Sequence, residues 1–419
     1  MIQFELDTDR QLFENTWTFA KSQVKRLVET HPDFYPMYTE EGQWKHGKPA
    51  WTHWCDGFFP GMMWLFEKRS EGAEAAYWMQ QAIRYSEPLE HRKLDRDVHD
   101  LGFIFFSTYY RWFRKTKDQA LNDVLIEAGK TMSLRFKEKG QYLRSFVADN
   151  SLFIDIMMNV GIIFYAARET GDARLRQVAM RHALTTRKYL VRGDGSTSHE
   201  GLFDTETGEF LKQTTHQGYR GDSCWSRGLA WALYGFGTCY EYSRDPRFLE
   251  TAEACADYYI TFTPADGVPP WDYNPPADYK GHDGVDASRK QVDTSAAAIT
   301  AAGLLRLSRL IQDPVKGHFY WTTAVRILRS LCEKHVPHSN PKWEGVLAGG
   351  VYHIHKGLGV NESVMWGEYF FIEALEHVLR PLAYGFLGYA FRPTPSPMGQ
   401  LGAYAGGREK APSSRLGLV

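Results

Sequence analysis
Two carboxylates, Asp100 and Asp155, are the residues of this chain best suited by type and surroundings to acid–base chemistry. Asp155 stands alone in Ser151-Leu-Phe-Ile-Asp-Ile-Met-Met-Asn-Val-Gly-Ile-Ile-Phe-Tyr-Ala-Ala167. A run this apolar predicts a helix buried on most sides. Aspartate is rarely buried unless it is paired or working, and burial raises a carboxyl pKa toward neutrality. That suits a group that hands over a proton. Asn159, four residues on, shares the helical face and is placed to hold the carboxyl by a hydrogen bond. The plainer alternative is an aspartate capping a neighbouring loop. Asp100 follows Asp97 and His99, and for those two neighbours local capping and solvation is the simpler reading. His199 and Gln217 fall on loops, while Trp225 and Arg227 open a helix. Trp225 offers a stacking face and Arg227 a fixed cation for a uronate carboxylate. Core packing for the ring and an internal salt bridge for the cation are the alternatives. Two carboxylates on adjacent helices suggest glycosidic chemistry.

The elements that must position these residues are helical. Six unusually apolar stretches begin near Asp56, Asp100, Ser151, Trp225, Asp293 and Glu362, at intervals of roughly 44 to 74 residues. Each interval holds one further helix, amphipathic and charged, such as Asp172-Ala-Arg-Leu-Arg-Gln-Val-Ala-Met-Arg-His-Ala-Leu184. Recurrence of this kind signals a repeat architecture. Six apolar helices inside six amphipathic ones predict an all-α fold, an (α/α)6 barrel over residues 1–380. Asp56, Asp100 and Asp293 stand where helix caps stand, with Glu362 also near a start. For Asp56 and Asp293 capping is the favoured reading. The capped ends of the inner helices point to one face, so the cleft is expected there. Strand-like alternation is confined to short loops, and Gly193 to Gly208 reads as turns or a short hairpin. From Pro381 to Val419 the composition turns to Gly, Pro, Ser and Ala with no helical period, which predicts a largely disordered tail.

Composition narrows the function. Aromatics make up 15 % of the 419 residues, with 13 Trp. Such a surplus fits a sugar cleft with stacking platforms, or else a large aromatic core. A formal net charge of −1 gives no basic field for nucleic acid. The apolar runs are too short and too charged for a membrane span. The acidic, mixed N-terminus is unlike a signal peptide. Five scattered cysteines without a CxxC argue against a disulfide framework and a zinc site, and point to a reduced, cytoplasmic protein. No metal-spaced cluster is present, so neither metal nor organic cofactor is expected.

Several motifs, taken together, resemble the unsaturated glucuronyl hydrolases, glycoside hydrolase family 88. They are His99-Asp-Leu-Gly-Phe103, Ile154-Asp-Ile-Met-Met-Asn159, Leu190-Val-Arg-Gly-Asp194, Thr215-His-Gln-Gly218, Trp225-Ser-Arg-Gly228 with Trp231, Ser295-Ala-Ala-Ala-Ile-Thr-Ala-Ala-Gly-Leu304 and Trp366-Gly-Glu-Tyr-Phe370. They run in order from about Trp51 to Leu379. The resemblance implies an (α/α)6 barrel that removes a 4,5-unsaturated glucuronyl group from the non-reducing end of lyase-made oligosaccharides. It implies that Asp155 protonates C4 and helps water add at C5, with Asp100 assisting. His199, Gln217, Trp225 and Arg227 map onto positions around the unsaturated ring, and Trp54 onto an aromatic that lines the pocket. Phe146 stands in a shorter stretch where the family carries a Trp. Asp149 lies in a loop-like segment, so Asp155 is the preferred acid. The basic stretch Tyr352-His-Ile-His-Lys-Gly-Leu358 reads as a contact to the next sugar or a sulfate, or as a solvated loop. The related unsaturated rhamnogalacturonyl hydrolases are the rival enzyme reading, but Arg227-Gly-Leu-Ala-Trp231 lacks their Asn. A non-catalytic sugar-binding toroid is the rival outside enzymes. Oligomeric state and the aglycone sugar are not legible.

Overall fold
The computed structural model describes residues 2–47 and 51–380; the tail expected from Pro381 onward lies outside the described residues. Its helices are, in chain order, α1 (Ile2–Thr30), α2 (Phe58–Lys68), α3 (Gly72–Ser86), α4 (Leu101–Ser107), α5 (Tyr109–Thr116), α6 (Gln119–Ser133), α7 (Ile156–Asn159), α8 (Gly161–Thr170), α9 (Ala173–Leu190), α10 (Ser226–Ser243), α11 (Pro246–Phe262), α12 (Thr294–Leu310), α13 (Pro314–Lys334) and α14 (Met365–Leu379). The segments α2, α4 with α5, α7 with α8, α10, α12 and α14 each pack on the next, and α14 returns to α2. Six segments thus close a ring. The helices α1, α3, α6, α9, α11 and α13 pack against it from outside. This is the expected (α/α)6 barrel, and α1 closes it by packing on α14 and α13 from the other end of the chain.

The ring follows from the apolar stretches. Every residue of α2 except Lys68 is buried, and α12 is buried from Thr294 through Leu305. Small residues let the backbones touch. A Cβ on Gly235 of α10 would lie 2.5 Å from the carbonyl oxygen of Met157, and one on Gly102 of α4 would lie 2.6 Å from the Cα of Asn159. Four of the outer helices start on aspartates. Asp118, Asp172, Asp245 and Asp313 each accept a first-turn N–H of α6, α9, α11 and α13. Such a cap contributes about 1 kcal/mol. The aromatic surplus is spent largely inside: Trp54, Phe58, Phe103, Trp231, Trp366 and Phe370 form one chain of ring contacts.

Of the expected inner caps, only Asp293 caps its helix, accepting from Ser295 N at 3.0 Å. Asp100 occupies the cap position of α4 without bonding a first-turn N–H. Asp56 precedes the cap residue Gly57 and faces His53 at 3.3 Å instead. Glu362 belongs to a strand and accepts from Thr39, Glu41 and Gly42.

The strands are short: β1 (Thr39–Glu40), β2 (Gln43–Trp44), β3 (Phe136–Lys137), β4 (Tyr142–Leu143), β5 (Ser151–Phe153), β6 (Glu200–Phe203), β7 (Phe210–Thr214), β8 (Gly350–His353) and β9 (Leu358–Glu362). β5, β6 and β7 form an antiparallel sheet in which Phe153 opposes Glu200 and Glu200 opposes Thr214. This corrects the single helix expected over 151–167. The run enters as a strand, turns at Asp155, forms α7 and restarts as α8. The pairing partner that makes Ser151–Phe153 a strand lies almost fifty residues away, and a short apolar run carries either structure. All five cysteines are buried and unpaired. No helix among the described residues is long and apolar enough to cross a membrane.

Candidate active site
Asp155 stands at the turn between β5 and α7, and Asp100 at the start of α4. Both lie at the N-terminal ends of neighbouring inner segments, the face on which the cleft is expected. The Asp155 side chain makes no cap bond. Its Oδ2 is buried and has no hydrogen-bond partner. The side chain as a whole remains 14 % exposed, so another part of it reaches solvent. Burial pushes its pKa up to about 6, against the pull of Arg227. Asp100 is pushed well up by burial and then by the charge of Asp155, while Arg135 and Arg92 pull it back. Each carboxyl is therefore reluctant to ionise, and Asp100 the more so while Asp155 is charged.

Asn159 does not hold the Asp155 carboxyl. Its Nδ2 donates to the Asp155 carbonyl at 3.2 Å, and its Oδ1 accepts from Phe103 N at 2.7 Å. It joins α7 to α4. The capping alternative for Asp155 also fails, since no backbone N–H is bound. Asp149 is excluded as the acid: Lys137 at 2.9 Å and Arg144 at 3.2 Å hold it as an exposed, low-pKa carboxylate.

Histidines stand beside both carboxyls. His199 Nδ1 accepts the main-chain N–H groups of His216 and Gln217 at 3.1 and 3.3 Å. That fixes the tautomer, because the proton must then sit on Nε2. Nε2 lies 3.6 Å from Asp155 Oδ2, and neither atom has another partner. His99 repeats the arrangement. It is buried, not solvated as its acidic neighbours suggested, and its Nδ1 accepts Phe146 N–H at 3.0 Å. Its Nε2 faces Asp100 Oδ1 at 3.4 Å. Asp97, by contrast, is exposed, as expected. Burial holds both imidazoles neutral, helped by Arg135 at His99 and by His216 and Arg227 at His199.

Arg227 is buried and fully engaged. It donates to Asp293 Oδ2 at 2.9 Å, Gln217 Oε1 at 2.6 Å, Tyr352 O at 2.8 Å and Val351 O. The internal salt bridge, weighed above as the alternative, is what this guanidinium makes. Trp225 is also buried, packed between His199 and Arg227 with centroid distances of 4.8 and 4.4 Å. Its ring backs the site more than it faces a cleft. Gln217 and Trp54 keep the exposure that Arg227 and Trp225 lack. Accepting from Arg227 fixes the Gln217 amide with its N–H2 as the remaining donor. Trp54 is half-buried, with its indole N–H 3.3 Å from the Tyr352 hydroxyl. Phe146 packs on His99 and Phe153. Of the basic stretch, His353 is buried against Trp51, Lys356 lies 4.5 Å over that ring, and His355 binds Gly218 O at 2.7 Å.

Sequence reasoning missed three groups here. Arg135, in a Lys-rich stretch that reads as surface, is buried. Glu200 is buried beside Ser151 and exposed His216, whose Nε2 is 3.2 Å from it. The partners of His99 are main-chain groups, which no side-chain pattern announces.

The chain matches Glycosyl Hydrolase Family 88 over residues 20–265. It is 30% identical over 377 residues to an unsaturated glucuronyl hydrolase of Bacillus sp. (strain GL1), covering 87% of this chain and 95% of that protein. It is 29% identical over 331 residues to an unsaturated chondroitin disaccharide hydrolase of Streptococcus pyogenes serotype M1, covering 77% of this chain and 80% of that one. The crystal structure of an unsaturated glucuronyl hydrolase specific for heparin superposes with a TM-score of 0.78 at 28% identity, covering 88% of this chain and 97% of that chain.

Proposed function
The chain belongs to Glycosyl Hydrolase Family 88, and on that premise we propose that it removes a 4,5-unsaturated glucuronyl group from the non-reducing end of lyase-made oligosaccharides. It is a glycoside hydrolase, with residues 1–380 as its catalytic unit. The observation that carries the site assignment is Asp155, a carboxyl held near pH 6 with one oxygen unpartnered inside the protein. A carboxyl that changes protonation near working pH can serve as acid and then as base.

The target is a vinyl ether. Asp155 gives its proton to C4, leaving positive charge on C5 shared with the ring oxygen. Water adds at C5 and returns a proton to the Asp155 carboxylate. The product at C5 is a hemiketal. Its ring C–O bond breaks to give a ketone, and the hemiacetal left at C1 releases the aglycone as an alcohol. The anomeric carbon is never attacked, and this route requires no metal or organic cofactor. Asp100 assists Asp155 and binds sugar hydroxyls. The His199 Nε2–H orients Asp155, Gln217 donates to the sugar, and Trp54 lines the pocket. Trp225 and Arg227 form the wall behind Asp155. The cytoplasm, where lyase products are taken up, is the proposed location.

The test is a panel of unsaturated uronate disaccharides incubated with purified protein, following the ultraviolet absorbance of the conjugated double bond. Loss of that absorbance together with release of the free aglycone sugar is expected. Binding of these disaccharides without turnover would leave a sugar-binding toroid and sink the enzymatic reading.

A further inference from the structure
Every substrate of the proposed class carries a carboxylate on C5, beside the carbon that takes the proton. The arginines near the two acids are already spent. Arg227 uses both terminal nitrogens on Asp293, Val351, Gln217 and Tyr352. Arg135 is clamped on three main-chain carbonyls, and Arg92 on Asp95 and the His53 carbonyl. His216 is built differently. Its side chain is 47 % exposed, yet its Nε2 lies 3.2 Å from Oε2 of Glu200, which is buried. The other Glu200 oxygen accepts from the Ser151 hydroxyl, which itself accepts from Ser145 at 2.7 Å. His216 is the one cationic partner of Glu200 within ion-pair distance among the described residues. A buried carboxylate with a single charged partner depends on that partner strongly. Glu200 accordingly lifts the His216 pKa above its ordinary 6.5, against burial and the charge of Lys356.

This imidazole stands close to the acid. Its main-chain N–H binds His199 Nδ1 at 3.1 Å, and its ring lies 6.2 Å from that of His199 and 5.4 Å from that of Phe153. His199 Nε2 is in turn 3.6 Å from Asp155 Oδ2, so one imidazole separates His216 from Asp155. In the imidazolium both ring nitrogens donate. Nε2–H is taken by Glu200, which leaves Nδ1–H for a ligand. We propose that His216 is the cation that binds the substrate carboxylate, with Glu200 the positioning residue that holds its ring. This rests on the reading of the chain as an unsaturated glucuronyl hydrolase, and it gives His216 the role the sequence suggested for Arg227. The other groups facing His216 do not take that role. Burial keeps His199 and His353 uncharged, and the Lys356 ammonium lies 4.5 Å over the Trp51 ring.

The test compares an unsaturated disaccharide with a neutral aglycone as the free acid and as its C6 primary amide, with KM and kcat followed across the titration of the imidazole. The amide is read as an inhibition constant if it is not turned over. For the acid, KM is expected to stay low while His216 is protonated and to rise as pH passes above its pKa; for the amide no such rise is expected. His216→Gln keeps a donor toward Glu200. It is expected to raise KM for the acid about tenfold or more, to remove that pH dependence, to leave kcat within about threefold and to leave the amide unaffected. Glu200→Gln lets the imidazole lose its proton sooner, so the rise in KM moves to lower pH, a displacement that a merely structural role would not produce. Should His216→Gln not fold, the wild-type comparison of acid and amide decides alone. The same pH dependence of KM for acid and amide, or a folded His216→Gln with the wild-type KM, overturns the proposal. So does a loss confined to disaccharides with an acidic aglycone, which would move the cation to the next sugar. Turnover with unchanged KM sinks this proposal alone, whereas no turnover of the acid by the wild type sinks the hydrolase reading beneath it.

Discussion

Two pairs of carboxyls at opposite ends of the inner ring, Glu373 with Glu376 and Asp100 with Asp155, are treated in opposite ways. Toward the C-terminal ends of the inner helices, charges come matched. Arg111 donates to Glu373 at 2.7 Å and to the Tyr369 hydroxyl at 2.6 Å, and Tyr234 donates to the other Glu373 oxygen at 2.9 Å. Burial alone would push Glu376 up, but Arg380 and Lys68 outweigh it and hold it at about 2. At the N-terminal ends, Asp100 and Asp155 meet, among the described residues, only the neutral imidazoles of His99 and His199 within ion-pair distance and are pushed up. The same residue chemistry thus serves two ends. A carboxylate given its full complement of donors stabilises the barrel. One left short of donors keeps a proton at a pH where it can be used.

The comparison breaks most visibly at Asp155. Asp155→Asn is expected to lower kcat on an unsaturated disaccharide by about 1,000-fold or more while thermal unfolding stays cooperative, since the amide is isosteric but cannot cycle a proton. A folded variant retaining several per cent of activity would move the acid elsewhere. The wild-type rate should fall as pH rises through about 6, where Asp155 loses its proton. At the opposite end, Glu373→Leu leaves half-buried Arg111 without its carboxylate and should cost about 1–3 kcal/mol of stability. Activity per folded molecule should not change, and a large fall in kcat at full folding would undo the division of roles between the ends.

Glu376 sharpens the contrast through pH. Its folded pKa is depressed from 4.5 to about 2, so its contribution is complete above 4.5 and is lost as pH falls through about 2. The shift corresponds to about 3 kcal/mol. Urea unfolding of wild type and Glu376→Gln should differ by this order at pH 7 and converge near pH 2. Asp155 has the reverse sign: its raised pKa favours the folded state at low pH, and that contribution is lost as pH rises from 3.8 through about 6. The smallest effect belongs to Gln217→Ala, which should raise KM about tenfold with kcat nearly unchanged, as for uniform binding. Arg227→Ala is a different case. It strands buried Asp293, so lost stability rather than raised KM is the expected first symptom.

The ring was legible because six apolar stretches recur along the chain with amphipathic, charged helices between them. The burial of Asp155 was legible because one carboxylate in an apolar run has few explanations. The strand at Ser151–Phe153 was not, since its pairing with Glu200–Leu202 depends on a segment about fifty residues away. The roles of His99 and Asn159 were misread for a related reason: both bind main-chain atoms of distant segments, Phe146 and Phe103. Arg227 looked like a ligand cation because its carbonyl partners at Val351 and Tyr352 leave no trace in side-chain patterns.

The contact between Gly102 and Asn159 has a consequence for anyone wishing to retool this enzyme. The carbons of α4 and α7 already touch there, and a single methyl on Gly102 would have no room. The gap between the two acids is therefore gauged by a backbone-to-backbone stop and not by the acids' own side chains. A change at Gly102 would throw the gauge out of calibration while every reactive group remained in the sequence.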